Sequence, residues 1–99
     1  ELFSRVYGDW KRDVDPGAIS RRFHTGLCRS LGRLVHHFRE HTGLDKIVLS
    51  GGVMQNETMS TLLPRDLARQ GCEPFPHTRL PPNDACISLG QVVYARFFT

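Results

Sequence analysis

The sequence has no apolar run longer than a few residues, so nothing in it is long enough to span a bilayer. Its first residues, Glu1-Leu2-Phe3-Ser4-Arg5, lack the basic start and apolar core of a secretory leader, and a cytoplasmic location is expected. Cys-x-x-Cys pairs are also missing. The three cysteines, Cys28, Cys72 and Cys86, are odd in number and far apart, which supports neither a disulfide framework nor a zinc ribbon and points to reduced thiols. There is no internal repeat, low-complexity tract or linker. No Lys/Arg cluster alternates with aromatics as a single-strand binding groove requires, so nucleic acid is not expected as a partner despite a net charge of +3. Arg21, Arg22, Arg29, Arg33 and Arg39 read as the solvated face of one helix, and the excess positive charge equally suits an anionic ligand.

What is present is an ordinary globular composition, 39% hydrophobic and 23% charged, on 99 residues. A chain of that size buries only about 60 to 65 percent of its unfolded surface. Leu2, Phe3, Val6, Tyr7 and Trp10 predict a short amphipathic helix that stops near Asp13. Asp15-Pro16 supplies an N-cap carboxylate and a first-turn proline, and Ile19, Phe23, Leu27, Leu31, Leu34, Val35 and Phe38 carry a helix from Pro16 to Thr42, ended by Gly43. Lys46 to Leu49 reads as a buried strand terminated by Gly51-Gly52. A third helix begins at Asn56 or Glu57 and stops at Gly71, with a kink or restart expected near Leu63 because of Pro64. Glu73 to Phe75, bounded by prolines, suits a sheet edge. Ile87, Leu89, Val92, Val93, Ala95 and Phe97 make a last helix whose apolar density implies burial.

The expected class is therefore α/β, in the order helix, helix, strand, helix, strand, helix, with a short parallel sheet closed by one crossover. Two strands make a poor sheet, which implies strands supplied from outside or pairing with another copy.

Two segments carry chemistry. In Ser50-Gly51-Gly52-Val53-Met54-Gln55-Asn56, glycines let backbone approach an oxyanion and the next helix start offers unpaired amides, so phosphate or pyrophosphate fits. A tight turn needing positive φ explains the same residues, and Asn56 is either N-cap or ligand contact. In Pro81-Pro82-Asn83-Asp84, Asp84 stands at a helix start, as an N-cap or as a hard oxygen ligand for a metal beside a nucleotide. Spacing alone does not choose between these readings.

The stretches S-G-G-V-M-Q-N, P-P-N-D-A-C-I-S-L-G-Q and I-S-R-R-F-H together closely resemble the C-terminal end of the HypF family, the carbamoyltransferases of NiFe-hydrogenase maturation. The resemblance runs from Asp15-Pro16 to the final helix. More distantly, the chain is similar to the tRNA threonylcarbamoyl transferase TsaD and the antibiotic carbamoyltransferases, which share the actin/Hsp70-like (ASKHA, RNase H-like) ATPase fold. The resemblance implies one C-terminal subdomain over residues 1–99, with a first helix over 1–14 and a core over 15–99 that holds a phosphate loop at 50–56 and a metal-type turn at 81–84. The implied parent also has an acylphosphatase-like domain, zinc fingers and a YrdC-like domain. In such a parent carbamoyl phosphate is hydrolysed, carbamate is activated by ATP as carbamoyl adenylate, and the carbamoyl group passes to the C-terminal cysteine of HypE to serve the cyanide ligands of the hydrogenase iron.

By the family pattern Ser50, Gly51, Gly52 and Val53 belong to the nucleotide phosphate loop, Asn56 is a polar residue of that site, and Asp84 is a ligand of a divalent metal such as Mg, Zn or Fe. The metal's two histidines lie upstream in that pattern, so no catalytic residue is assigned within the chain and the isolated chain is expected to be inactive. The sequence departs from the pattern at Ala85 and Cys86, where two glycines are usual, and at Met54, where phenylalanine is common. His37 and His41 have a zinc-compatible i, i+4 spacing but no third ligand nearby, so a solvated polar face is preferred there. His24 is weighed between packing and a contact near the nucleotide. The competing readings are a fragment of a related O-carbamoyltransferase or threonylcarbamoyl transferase, and a non-catalytic docking module; exposed apolar surface would favour self-association.

Overall fold

A computed structural model describes all residues from Glu1 to Thr99. The helices are α1 (Leu2–Lys11), α2 (Pro16–Thr42), α3 (Glu57–Arg69) and α4 (Ile87–Phe98), and the strands are β1 (Lys46–Val48) and β2 (Glu73–Phe75). Single 3-10 turns at Gly52–Gln55 and Asp84–Cys86 lead into α3 and α4. The mixed α/β character and the parallel two-stranded sheet agree with the sequence expectation.

Helix boundaries follow local chemistry. Asp15 accepts the Ala18 amide at 3.0 Å and Pro16 opens α2 with its φ already set, while Gly43 closes the helix at φ 73°, in the left-handed region. α1 lies across α2 at Gly26, where a Cβ would come within 2.8 Å of the Leu2 side chain. Phe3 packs near Phe23 and the Asp9 carboxylate takes the Arg22 guanidinium at 3.0 Å. α3 runs as one helix through Pro64 rather than restarting there. The proline removes one backbone donor, and the packing of Met59, Leu63 and Leu67 on α2 and the sheet holds the helix across that gap.

The core is thin. Cys28, Leu49, Met59, Leu63, Leu67 and Cys72 form one buried cluster where α2, α3 and the sheet meet, with Leu27, Leu31, Val35, Ile47, Met54 and Leu62 packed around it.

Two burial expectations are corrected. β1 is not a buried strand: only Leu49, just past its end, is buried, and Val48 is 74% exposed because no third strand or covering helix lies on that face. α4 carries no buried residue at all, with Phe97 and Phe98 70% and 72% exposed. Its apolar sequence meets no complementary face within these residues, so high hydrophobicity gives exposure here rather than burial. The molecule is correspondingly elongated, 56 × 32 × 20 Å.

Candidate functional site

The chain leaves β1 through Leu49, whose amide still bonds the Phe75 carbonyl at 3.1 Å, and turns at Gly51. Gly51 has φ 102° and ψ 157°, a region essentially closed to any residue with a Cβ. Its carbonyl accepts the Met54 amide at 3.0 Å, and the Val53 carbonyl accepts that of Asn56 at 3.0 Å, closing the 3-10 turn. The two glycines differ. Gly51 is required by its backbone angles, whereas Gly52 has no positive φ and faces open space where a side chain would meet nothing. The amides of Gly52 and Val53 open that turn, the position at which backbone donors lack an internal acceptor.

Asn56 is the N-cap of α3: its Oδ1 accepts the Met59 amide at 3.2 Å. Its Nδ2 lies 3.1 Å from His24 Nε2, and His24 Nδ1 lies 2.7 Å from the Ser20 carbonyl. A carbonyl only accepts, so His24 carries its proton on Nδ1 and accepts from Asn56 on Nε2. Each contact then has one donor. The N-cap alternative for Asn56 and a positioning contact for His24 are thus realised together, tying α2 to the start of α3.

A contact absent from the sequence reading joins the loop to the second strand: His77 Nε2 and Ser50 Oγ are 2.9 Å apart. The signal for it is the strand register. Lys46, Ile47 and Val48 stand beside Glu73, Pro74 and Phe75, and the same offset continued two residues beyond each strand brings Ser50 to His77.

Asp84 is exposed at the first position of the second 3-10 turn, and the cap there is Asn83, whose Oδ1 accepts the Ala85 amide at 3.0 Å. Asp84 thereby keeps its carboxylate free of capping, and no hydrogen bond or ion pair connects it to residues 50–56. No three His, Cys, Asp or Glu side chains converge as a metal cluster. A hard cation finds one suitable oxygen donor at Asp84, which fits a single ligand of a shared site and not a complete one.

The histidine pair and the arginines behave differently from one another. His37 and His41 pack ring against ring with centroids 4.2 Å apart, and His41 Nδ1 is engaged by the His37 carbonyl at 2.8 Å. Three of the α2 arginines, with two from the α1 segment, converge in space. Arg5 of α1, Arg12 at its C-terminal cap, and Arg21, Arg22 and Arg29 of α2 line a groove of about 470 Å³, with Phe23 the sole aromatic and Asp9 the sole carboxylate in its walls.

Against this geometry, the chain matches the family model described as "Carbamoyltransferase, Kae1-like Domain, second subdomain" over residues 1–91. The chain belongs to the HypF carbamoyltransferase family. It is 35% identical over 74 residues to carbamoyltransferase HypF of Rhizobium leguminosarum bv. viciae, covering 75% of this chain and 10% of that protein. It is 32% identical over 75 residues to carbamoyltransferase HypF of Synechocystis sp., covering 76% of this chain and 9% of that protein. A crystal structure of full-length HypF in a phosphate- and nucleotide-bound form superimposes with a TM-score of 0.88 at 35% identity, covering 92% of this chain and 12% of that one. The chain thus spans about a tenth of the length of the HypF relatives it matches. The HypF likeness extends over α1 and the groove it forms with α2 as well as over the glycine turn.

Proposed function

We propose that this chain supplies the nucleotide-phosphate half of a HypF-type carbamoyl-transfer site. Residues Ser50 to Asn56 take the phosphates of ATP, and Asp84 gives one oxygen to a divalent metal, Mg, Zn or Fe. The observation that carries this reading is Gly52. The fold does not need a glycine there, since its φ is ordinary and the space above it is open, whereas an oxyanion approaching the Gly52 and Val53 amides does. A nucleotide-bound form of the solved full-length HypF is in keeping with a nucleotide as the ligand class.

In the parent enzyme the loop amides bind and orient the ATP phosphates, and the His24–Asn56 link holds the loop against α2. A divalent cation, when bound, supplies Lewis-acid neutralisation of phosphate charge. The parent uses carbamoyl phosphate and ATP, through carbamoyl adenylate, to carbamoylate the C-terminal cysteine of a HypE-like acceptor in the cytoplasm. This chain holds no complete active site, so it is inactive alone, and its uncovered apolar surface drives self-association that light scattering reads directly.

The two glycines test the reading. In the full-length enzyme, Gly51→Ala should lower stability by about 1–3 kcal/mol through backbone strain. Gly52→Ala should leave the melting temperature unchanged and raise the KM for ATP several-fold. Unchanged ATP kinetics in a folded Gly52→Ala enzyme would mean that the loop is only a turn.

A further inference from the structure

We infer that His77 is a positioning residue of the glycine loop, acting through Ser50. The inference rests on the reading of residues 50–56 as the phosphate site and adds a member to it from a different segment.

The two strands are parallel and in fixed register, ending at Val48 and Phe75. The last main-chain bond on this side of the ladder runs from the Leu49 amide to the Phe75 carbonyl at 3.1 Å. The 2.9 Å contact between Ser50 Oγ and His77 Nε2 lies beyond it, two residues past each strand, and continues the pairing with side chains where main-chain bonds stop. Ser50 directly precedes Gly51, so whatever fixes Ser50 fixes the direction from which the chain enters its φ 102° turn.

His77 is suited to this by its own approach. Pro74 and Pro76 bracket Phe75 and restrict the backbone leading to His77, which is itself half-buried. The imidazole therefore comes from a stiff strap and costs little ordering when it holds the hydroxyl. A loop so held keeps its first amides aimed outward before any anion arrives, which is where preorganised donors gain their strength.

The test is a double-mutant cycle on the dissociation constant of Mg-ATP in the full-length enzyme that contains this chain. Ser50→Ala and His77→Ala should each weaken binding roughly three- to tenfold, the value of one net hydrogen bond. Together they should weaken it no further than either alone. His77→Gln, which returns a polar nitrogen at similar reach, should restore binding to within about twofold of wild type, a rescue that general loosening of the strap does not produce. Additive losses, failed rescue by a folded His77→Gln, or wild-type binding by His77→Ala would overturn the role of His77. If instead Ser50→Ala and Gly52→Ala both bind Mg-ATP like wild type, the phosphate-loop reading itself falls, and the His77 role with it.

Discussion

Asn56 is engaged at both ends of its amide, Oδ1 on the Met59 amide and Nδ2 on His24, so a single side chain caps α3 and ties it to α2. Asn56→Ala should cost about 1–2 kcal/mol in denaturant unfolding, more than His24→Ala at about 0.5–1.5, because only the former also loses the cap. Equal losses would contradict this division. Cys28 sits fully inside, its Sγ 3.8 Å from Met59 Sδ. Burial pushes its thiol above the ordinary value of 9.0, with the Asp66 carboxylate adding to the rise and Arg65 opposing it. The folded thiol holds its proton to higher pH than the unfolded one, so this contribution is intact below about pH 9 and is lost as pH climbs through the folded value. Thermal melts between neutral pH and pH ~10 should show an alkaline decline that Cys28→Ala lacks, whatever the variant loses at neutral pH. At this scale the sequence reveals which residue types stand in the loop, and the choice between cap and ligand for Asn56 waits on distances. His77 was invisible because its partner is 27 residues away and only the register joins them.

α2 is the most legible element, since Asp15, Pro16 and Gly43 mark both ends by local chemistry that needs no tertiary partner. β1 and α3 are less so. The β-branched run at Ile47-Val48 announces a strand but not its neighbours, and burial depends on neighbours. Pro64 announces a kink or restart, and α3 does not restart there because its packing outweighs one missing hydrogen bond. The weight of that packing is measurable. Leu67, 0% exposed, anchors α3 between α2 and the sheet. Leu67→Ala should cost about 2–5 kcal/mol. In a core of six buried apolar side chains that loss is enough to unfold most of the population, read as loss of helical circular dichroism at ambient temperature. A cooperative, native-like melt for Leu67→Ala would show that the α2–α3 contact matters less than its burial implies.

Taken whole, the chain is an elongated assembly with two open sheet edges and an apolar helix covered by nothing in these residues. The sequence signalled the open sheet, since two strands make a poor one, but the apolar density of the last helix implied burial, and α4 is instead left bare. The HypF relatives are about ten times longer than the region matched. Two candidate sites for an anion then stand apart at this scale, the proposed phosphate turn and the arginine groove between α1 and α2. The central claim is that the turn takes the nucleotide, and titration of Mg-ATP into nitrogen-labelled protein, followed by NMR, tests it most directly. The account predicts shifts concentrated at the amides of Gly51, Gly52 and Val53 and at the Asn56 side chain. Shifts confined to Arg12, Arg21 and Arg29 of the groove, with the turn unmoved at millimolar ATP, would contradict it.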